Sequence, residues 1–93
     1  MENNNIDLNT KLSILPNIGK ALEEQLLKIN IKTYGDLKSI GAKQAWLNIQ
    51  ALDESACMNR LLALEGAIQG MKKQMLPADI KEDLGKFYNF YKK

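Results

Sequence analysis

Apolar residues recur along most of the chain at steps of three and four, the period of a helix with one buried face. The clearest stripe is Cys57, Leu61, Leu64, Ile68 and Met71, which predicts a helix over 55–71 with Asp53 or Ser55 as its cap. A second runs over 18–29, with Leu22, Leu26, Leu27 and Ile29 turned inward and Asn30 as a left-handed terminator. Pro16 closes a short helix predicted over 9–14, because the residue before a proline is driven out of the helical region. Thr33 and Asp36, three apart, make a variant capping box that opens a helix over 34–38. A further helix is predicted over 40–52. The last begins at Pro77, with Asp79, Glu82 and Asp83 early and Lys92 and Lys93 at its end, the charge order that complements the helix dipole. Strand formers are scarce, with no valine and only Thr10 and Thr33. The expected fold is all-α: a single compact domain of five to six helices over 8–93, preceded by a frayed segment 1–7.

Composition narrows the chemistry. Ninety-three residues suit one core, and 45% hydrophobic with 26% charged residues is ordinary for a soluble domain. The absence of histidine excludes a Ser-His-Asp triad, a Cys-His pair and a His-bearing zinc site. One cysteine excludes an internal disulfide and suggests a reducing compartment. The polar start Met1-Glu2-Asn3-Asn4-Asn5 lacks the features of a secretory signal, and no apolar run reaches the ~20 residues that span a bilayer. These features lead to the expectation of a cytoplasmic, non-enzymatic module with no cofactor, no metal and no membrane partner. Within it, Cys57 reads as a small buried hydrophobe and Trp46 as core. Gly66 and Gly70 read as close helix contacts, since a glycine inside a helix costs about 1 kcal/mol against alanine.

A weak repeat at an offset of 22 residues is the most informative feature. Leu15-Pro16-Asn17-Ile18-Gly19 aligns with Leu37-Lys38-Ser39-Ile40-Gly41, each between a shorter and a longer predicted helix. Asn17 and Ser39 are both strong N-cap residues. The pattern resembles the helix-hairpin-helix motif, which implies a turn whose backbone N–H groups hold a nucleic-acid phosphate. Unpaired N–H groups and the dipole make a helix start an anion site in general. The candidate residues are Asn17, Ile18, Gly19 and Lys20 in one copy and Ser39, Ile40, Gly41 and Lys43 in the other, facing duplex DNA through phosphate contacts that carry no sequence information. A purely structural helical pair, built by the same turn, stands beside this reading. Residues 8–50 hold six lysines against Glu23, Glu24 and Asp36, a net of +3 within a chain of net +2. That field suits weak, salt-sensitive phosphate binding, and solvated helix faces suit it equally.

A longer match adds to this. Leu15-Pro16-Asn17-Ile18-Gly19, Ile31-x-Thr33, Ile40-Gly41-Ala42, Ala45-Trp46-Leu47, Asn59-x-Leu61-x-Ala63-Leu64-Glu65-Gly66-Ala67-Ile68-x-Gly70 and Leu76-Pro77 occur in the order seen in the C-terminal domain of TfoX/Sxy proteins. The resemblance covers about residues 8–88. It implies an all-α domain of helix-hairpin-helix type and a role in transcriptional regulation of competence for DNA transformation. Family members usually carry an N-terminal α/β domain as well, and this chain is expected to act without it. The competing function class is a protein-interaction or self-association module that does not touch nucleic acid. The last helix bears on that alternative. It carries Phe87, Tyr88, Phe90 and Tyr91, four of six aromatics, next to Lys86, Lys92 and Lys93. Docking onto the core, a protein or homodimer contact, and stacking on bases are the three uses open to it.

Overall fold

The computed structural model describes residues 7–93. In chain order it contains a single-turn 3-10 helix (Leu12–Ile14), α1 (Lys20–Lys28), α2 (Tyr34–Ile40), α3 (Ala42–Leu52), α4 (Met58–Gln69), a second 3-10 turn (Lys73–Met75) and α5 (Ala78–Tyr91). No strand occurs among the described residues; the one β-type contact is an isolated antiparallel bridge between Lys11 and Thr33. The fold is all-α, with a Cα radius of gyration of 12.5 Å, the value expected of one packed domain of this length.

α3 is the central element and packs on α1, α2, α4 and α5. Its inward residues Ala45, Trp46 and Ile49 are fully buried with Leu26 of α1, Leu37 of α2 and Leu61 and Leu64 of α4. Trp46 is the expected core residue. Its indole N–H donates to the Cys57 carbonyl at 3.1 Å, so a buried donor is satisfied. Its ring meets Phe87 and Tyr88 edge-on, with centroids 6.2 and 5.6 Å apart, and thereby seats α5. Gln50, buried in α3, donates to the Tyr91 carbonyl and fastens the far end of α5.

Several local expectations are corrected. Residues 9–14 do not form one helix. Asp7 opens a turn, accepting from the N–H of Thr10 and, through its side chain, from the N–H of Asn9. The segment then runs extended, and the carbonyls of Leu8 and Thr10 accept from Gly35 and Tyr34. Those N–H groups at the start of α2 have no partner within the helix, so the incoming strand-like segment caps them while Thr33 caps Asp36. Gly35 lets it lie this close: a Cβ there would stand 2.9 Å from the Leu8 carbonyl oxygen. The remainder of the expected 1–7 terminus lies outside the described residues.

Leu27 points outward on α1, whereas Leu22 and Leu26 are buried. Cys57 is exposed: α4 starts one residue later, so Cys57 is extended backbone (φ −111°) outside the helical stripe. Neither Asp53 nor Ser55 caps α4. Asp53 instead ends α3 and gathers donors, with Oδ1 accepting from the Ser55 N–H and hydroxyl and Oδ2 from Arg60 and Gln25, both at 2.9 Å. Bonding by the Ser55 hydroxyl first, then by Arg60, the Ser55 N–H and Gln25, holds its carboxyl far below the usual carboxylate range. Gly70 is not inside a helix: it terminates α4 at φ 77° and gives the Met71 N–H access to the Gly66 carbonyl. Asn30 terminates α1 in the same way at φ 69°, as its position after the apolar stripe predicts.

Candidate nucleic-acid interface at the two hairpins

Both repeat copies lead into a helix, but they are built differently. In the first, Leu15 and Ile18 are buried and Asn17 turns the chain at φ 70°, a conformation asparagine tolerates better than most residues. Gly19, at φ −85°, is the N-cap of α1, so Asn17 is not the cap its residue type suggests. The first helical bond runs from Glu23 N–H to the Gly19 carbonyl, which leaves the N–H groups of Lys20, Ala21 and Leu22 without a helical acceptor. A Cβ at Gly19 would meet no heavy atom within 4 Å, so the helix mouth opens to solvent, with exposed Lys20 as its first residue. Glu23, in the first turn, already complements the dipole there.

Asn17 is used elsewhere. Its amide donates to the Met71 carbonyl at 2.9 Å and, more weakly, to the Ala63 carbonyl at 3.4 Å; its Oδ1 accepts from the Lys73 N–H at 3.1 Å. One side chain thus bolts the first hairpin to the turn that follows α4. Gly66 creates the space, since a Cβ at that position would collide with the Asn17 amide nitrogen and stand 2.8 Å from the Met71 carbonyl oxygen. The close contact expected of Gly66 is therefore with a side chain and a turn.

The second copy is a single-residue junction. Ser39 lies exposed inside α2, Ile40 is half-buried, and Gly41, at φ 86°, ends α2 and caps α3. That φ is open to glycine and strained for other residues. The mouth of α3 borders a cleft of about 570 Å³ toward α5, and two carboxylates, Glu65 and Asp83, line it with Lys43. Lys43 reaches across to Asp83 at 2.7 Å and lies over the Phe87 ring, 5.5 Å from its centroid. Acidic groups thus interrupt this copy; the first copy carries Glu23 and Glu24 early in α1 and meets the Lys72-Lys73 segment through the Lys73 N–H on Asn17. More than 50 residues separate those two lysines from Asn17, so spacing along the chain does not pair them with the first hairpin. The visible signal was a Lys-Lys pair in a stretch with no acid between Glu65 and Asp79.

The aromatics of α5 divide by face. Phe87 and Tyr88 pack on the core, Tyr91 is half-exposed, and Phe90 is 79% exposed, edge-on to Tyr91 at 4.8 Å. No helix among the described residues is long and apolar enough to cross a membrane, and no group of acidic or cysteine side chains among them is arranged to hold a metal ion.

The comparisons with known proteins agree with this architecture. The family model described as the TfoX C-terminal domain matches residues 8–88. Protein Sxy of Escherichia coli (strain K12) is 32% identical over 77 residues, which covers 83% of this chain and 37% of Sxy; the chain thus spans little more than a third of that relative. Two crystal structures from Listeria monocytogenes share the fold. One, an uncharacterized protein in a triclinic form, superposes with a TM-score of 0.86 at 48% identity, covering 87% of this chain and 92% of its own. The other, a protein of unknown function in a tetragonal form, gives 0.83 at 49%, covering 85% and 98%. With its ordered motifs, its α3-centred packing and a family match over nearly every described residue, this chain belongs to the TfoX C-terminal domain family.

Proposed function

We propose that this chain is a non-catalytic regulatory module of the TfoX/Sxy type that contacts duplex DNA through phosphates at its first hairpin, in the service of competence-related transcription. The observation that carries this reading is the open mouth of α1, where three N–H groups without helical acceptors and the exposed Lys20 project from a turn fixed by buried Leu15 and Ile18 and by the Asn17 bolt. Such a turn offers a pre-formed site for one phosphate, and it positions the protein without reading bases. The second hairpin contributes less, because Asp83 and Glu65 border it.

Titration with duplex DNA at low and moderate salt tests this. Binding at low salt that weakens as salt rises is expected, with Lys20→Glu reducing affinity more than Lys43→Glu. No binding at low salt overturns the reading. The alternative function, a protein-interaction or self-association module, is favoured by one observation, the exposed Phe90–Tyr91 pair at the end of α5. A concentration-dependent mass in sedimentation that Phe90→Ala abolishes, together with absence of DNA binding, is the result that would install it.

A further inference from the structure

We infer that the turn after α4 supplies a second, lysine-built phosphate contact, and that it joins the first hairpin in one continuous DNA-facing surface formed by Lys20, Lys72, Lys73 and Lys81. This inference rests on the DNA reading above and specifies where the duplex lies. Two connections, one from Asn17 and one from Lys81, converge on the turn that carries Lys72 and Lys73, and Lys20 follows Asn17 by three residues. The Asn17 side chain bonds the Met71 carbonyl and the Lys73 N–H, which sets the Lys72-Lys73 pair against the turn that leads into Lys20. From the other side, the Lys81 ammonium reaches back from α5 and donates to the Gln74 carbonyl at 3.0 Å, on the same 3-10 turn. Lys20, Lys72 and Lys81 are exposed and Lys73 is half-exposed. The turn itself contains no acid; the neighbouring ones are Glu65, whose carboxylate takes the Gln69 amide, Asp79 in the first turn of α5, and Glu23 and Glu24, three and four residues after Lys20 on α1.

These lysines come from three parts of the chain, and one of them, Lys81, has its ammonium held on the turn by the Gln74 carbonyl, so the region is cationic in a way a polyanion would cover. Duplex DNA presents one phosphate charge per ~1.7 Å of axis, and each lysine that neutralises a phosphate releases condensed counterions and steepens the salt dependence. The surface is asymmetric. The repeat would place Lys43 on the DNA as Lys20 is placed by the first copy, whereas Lys43 is turned into an ion pair with Asp83.

The test compares two triple variants of equal charge change by duplex DNA titration across a salt series. Lys72→Gln, Lys73→Gln and Lys81→Gln together should weaken binding about tenfold or more near 0.1 M salt and flatten the slope of log K against log salt by about 2 to 3. Lys86→Gln, Lys92→Gln and Lys93→Gln together should change affinity by less than about threefold, which separates a defined surface from net charge. Circular dichroism melting should show both triples folded, the second near wild type and the first lowered only slightly by loss of the Lys81 bond to the Gln74 carbonyl. Equal losses in the two triples, or a loss only in the second, overturn the inference and leave the hairpin reading standing if Lys20→Glu still weakens binding. Absence of DNA binding by the wild type overturns both.

Discussion

Replacing Gly66 by alanine tests the Asn17 bolt directly. On an exposed helix the change would stabilise by about 1 kcal/mol, because alanine is the better helix former. Here the added Cβ would collide with the Asn17 amide and stand 2.8 Å from the Met71 carbonyl oxygen and 3.2 Å from the Lys73 nitrogen. The Asn17 side chain must then leave. That forfeits its bonds to Met71 and Lys73, each worth about 1 kcal/mol net and more where the abandoned partner stays dry. The expected balance for Gly66→Ala is a loss of about 1–3 kcal/mol. At ~4–8 °C per kcal/mol for a domain of this size, the melting temperature falls by roughly 5–20 °C. Asn17→Gly removes the same bonds but keeps a residue at ease at φ 70°, and should cost about 2 kcal/mol. Asn17→Ala should cost about 1 kcal/mol more, since alanine resists the left-handed region. The double variant completes a cycle. With the Asn17 amide gone, Gly66→Ala should cost at least about 1 kcal/mol less than in the wild type, leaving the contacts with the Met71 carbonyl oxygen and the Lys73 nitrogen. The assay is chemical denaturation with thermal melting as a check. Strict additivity, or a stabilising Gly66→Ala, would refute the argument that this glycine exists to admit Asn17.

Two further outcomes follow from the same structure. The Asp53 carboxyl titrates lower in the folded state than in the unfolded chain, so it contributes stability above about pH 4 that is lost as pH falls toward the folded-state value. The wild type should therefore lose melting temperature on acidification below pH 4 more steeply than Asp53→Asn, and matching acid slopes would remove Asp53 from the account. Phe90→Ala should leave the folding free energy within about 0.5 kcal/mol of wild type, because the ring is 79% exposed and touches Tyr91 alone among the aromatics; a large loss in denaturant midpoint at low protein concentration would mean that the ring is covered in the folded protein.

Most of the fold was legible because its causes are local. Periodic leucines and isoleucines mark the buried faces of α1 to α4, Asn30 ends α1, Thr33 and Asp36 begin α2, and the aromatic-rich segment after Pro77 forms α5. Cys57 was misplaced for a local reason too. Its spacing fits the stripe of α4, but the helix starts at Met58, and one residue outside the first turn is no longer on the face. Of the 9–14 segment only Leu12–Ile14 is helical, as a 3-10 turn that stops before Pro16; its first half was misread because the Leu8 and Thr10 carbonyls accept from Gly35 and Tyr34, and no local pattern announces partners that distant. Asp53 looked like a cap for the next helix, yet its oxygens are taken by Gln25 of α1 and by Arg60.

The candidate site divides along the same line. The sequence alone determined an all-α domain of the TfoX C-terminal family, two glycine-bearing turns that lead into helices, and a histidine-free chain without the usual means of acid–base chemistry. These follow from periodicity, turn residues and composition, which act over a few positions. Only the tertiary structure decided which turn stays open. It turned Lys43 onto Asp83, gave Asn17 to the turn after α4 through the Met71 carbonyl and the Lys73 N–H, and laid the Lys81 ammonium on that same turn. The charges and donors involved are separated by up to about 60 residues in the chain, and their interaction falls off within a Debye length of ~10 Å, so packing rather than order along the sequence sets which of them meet.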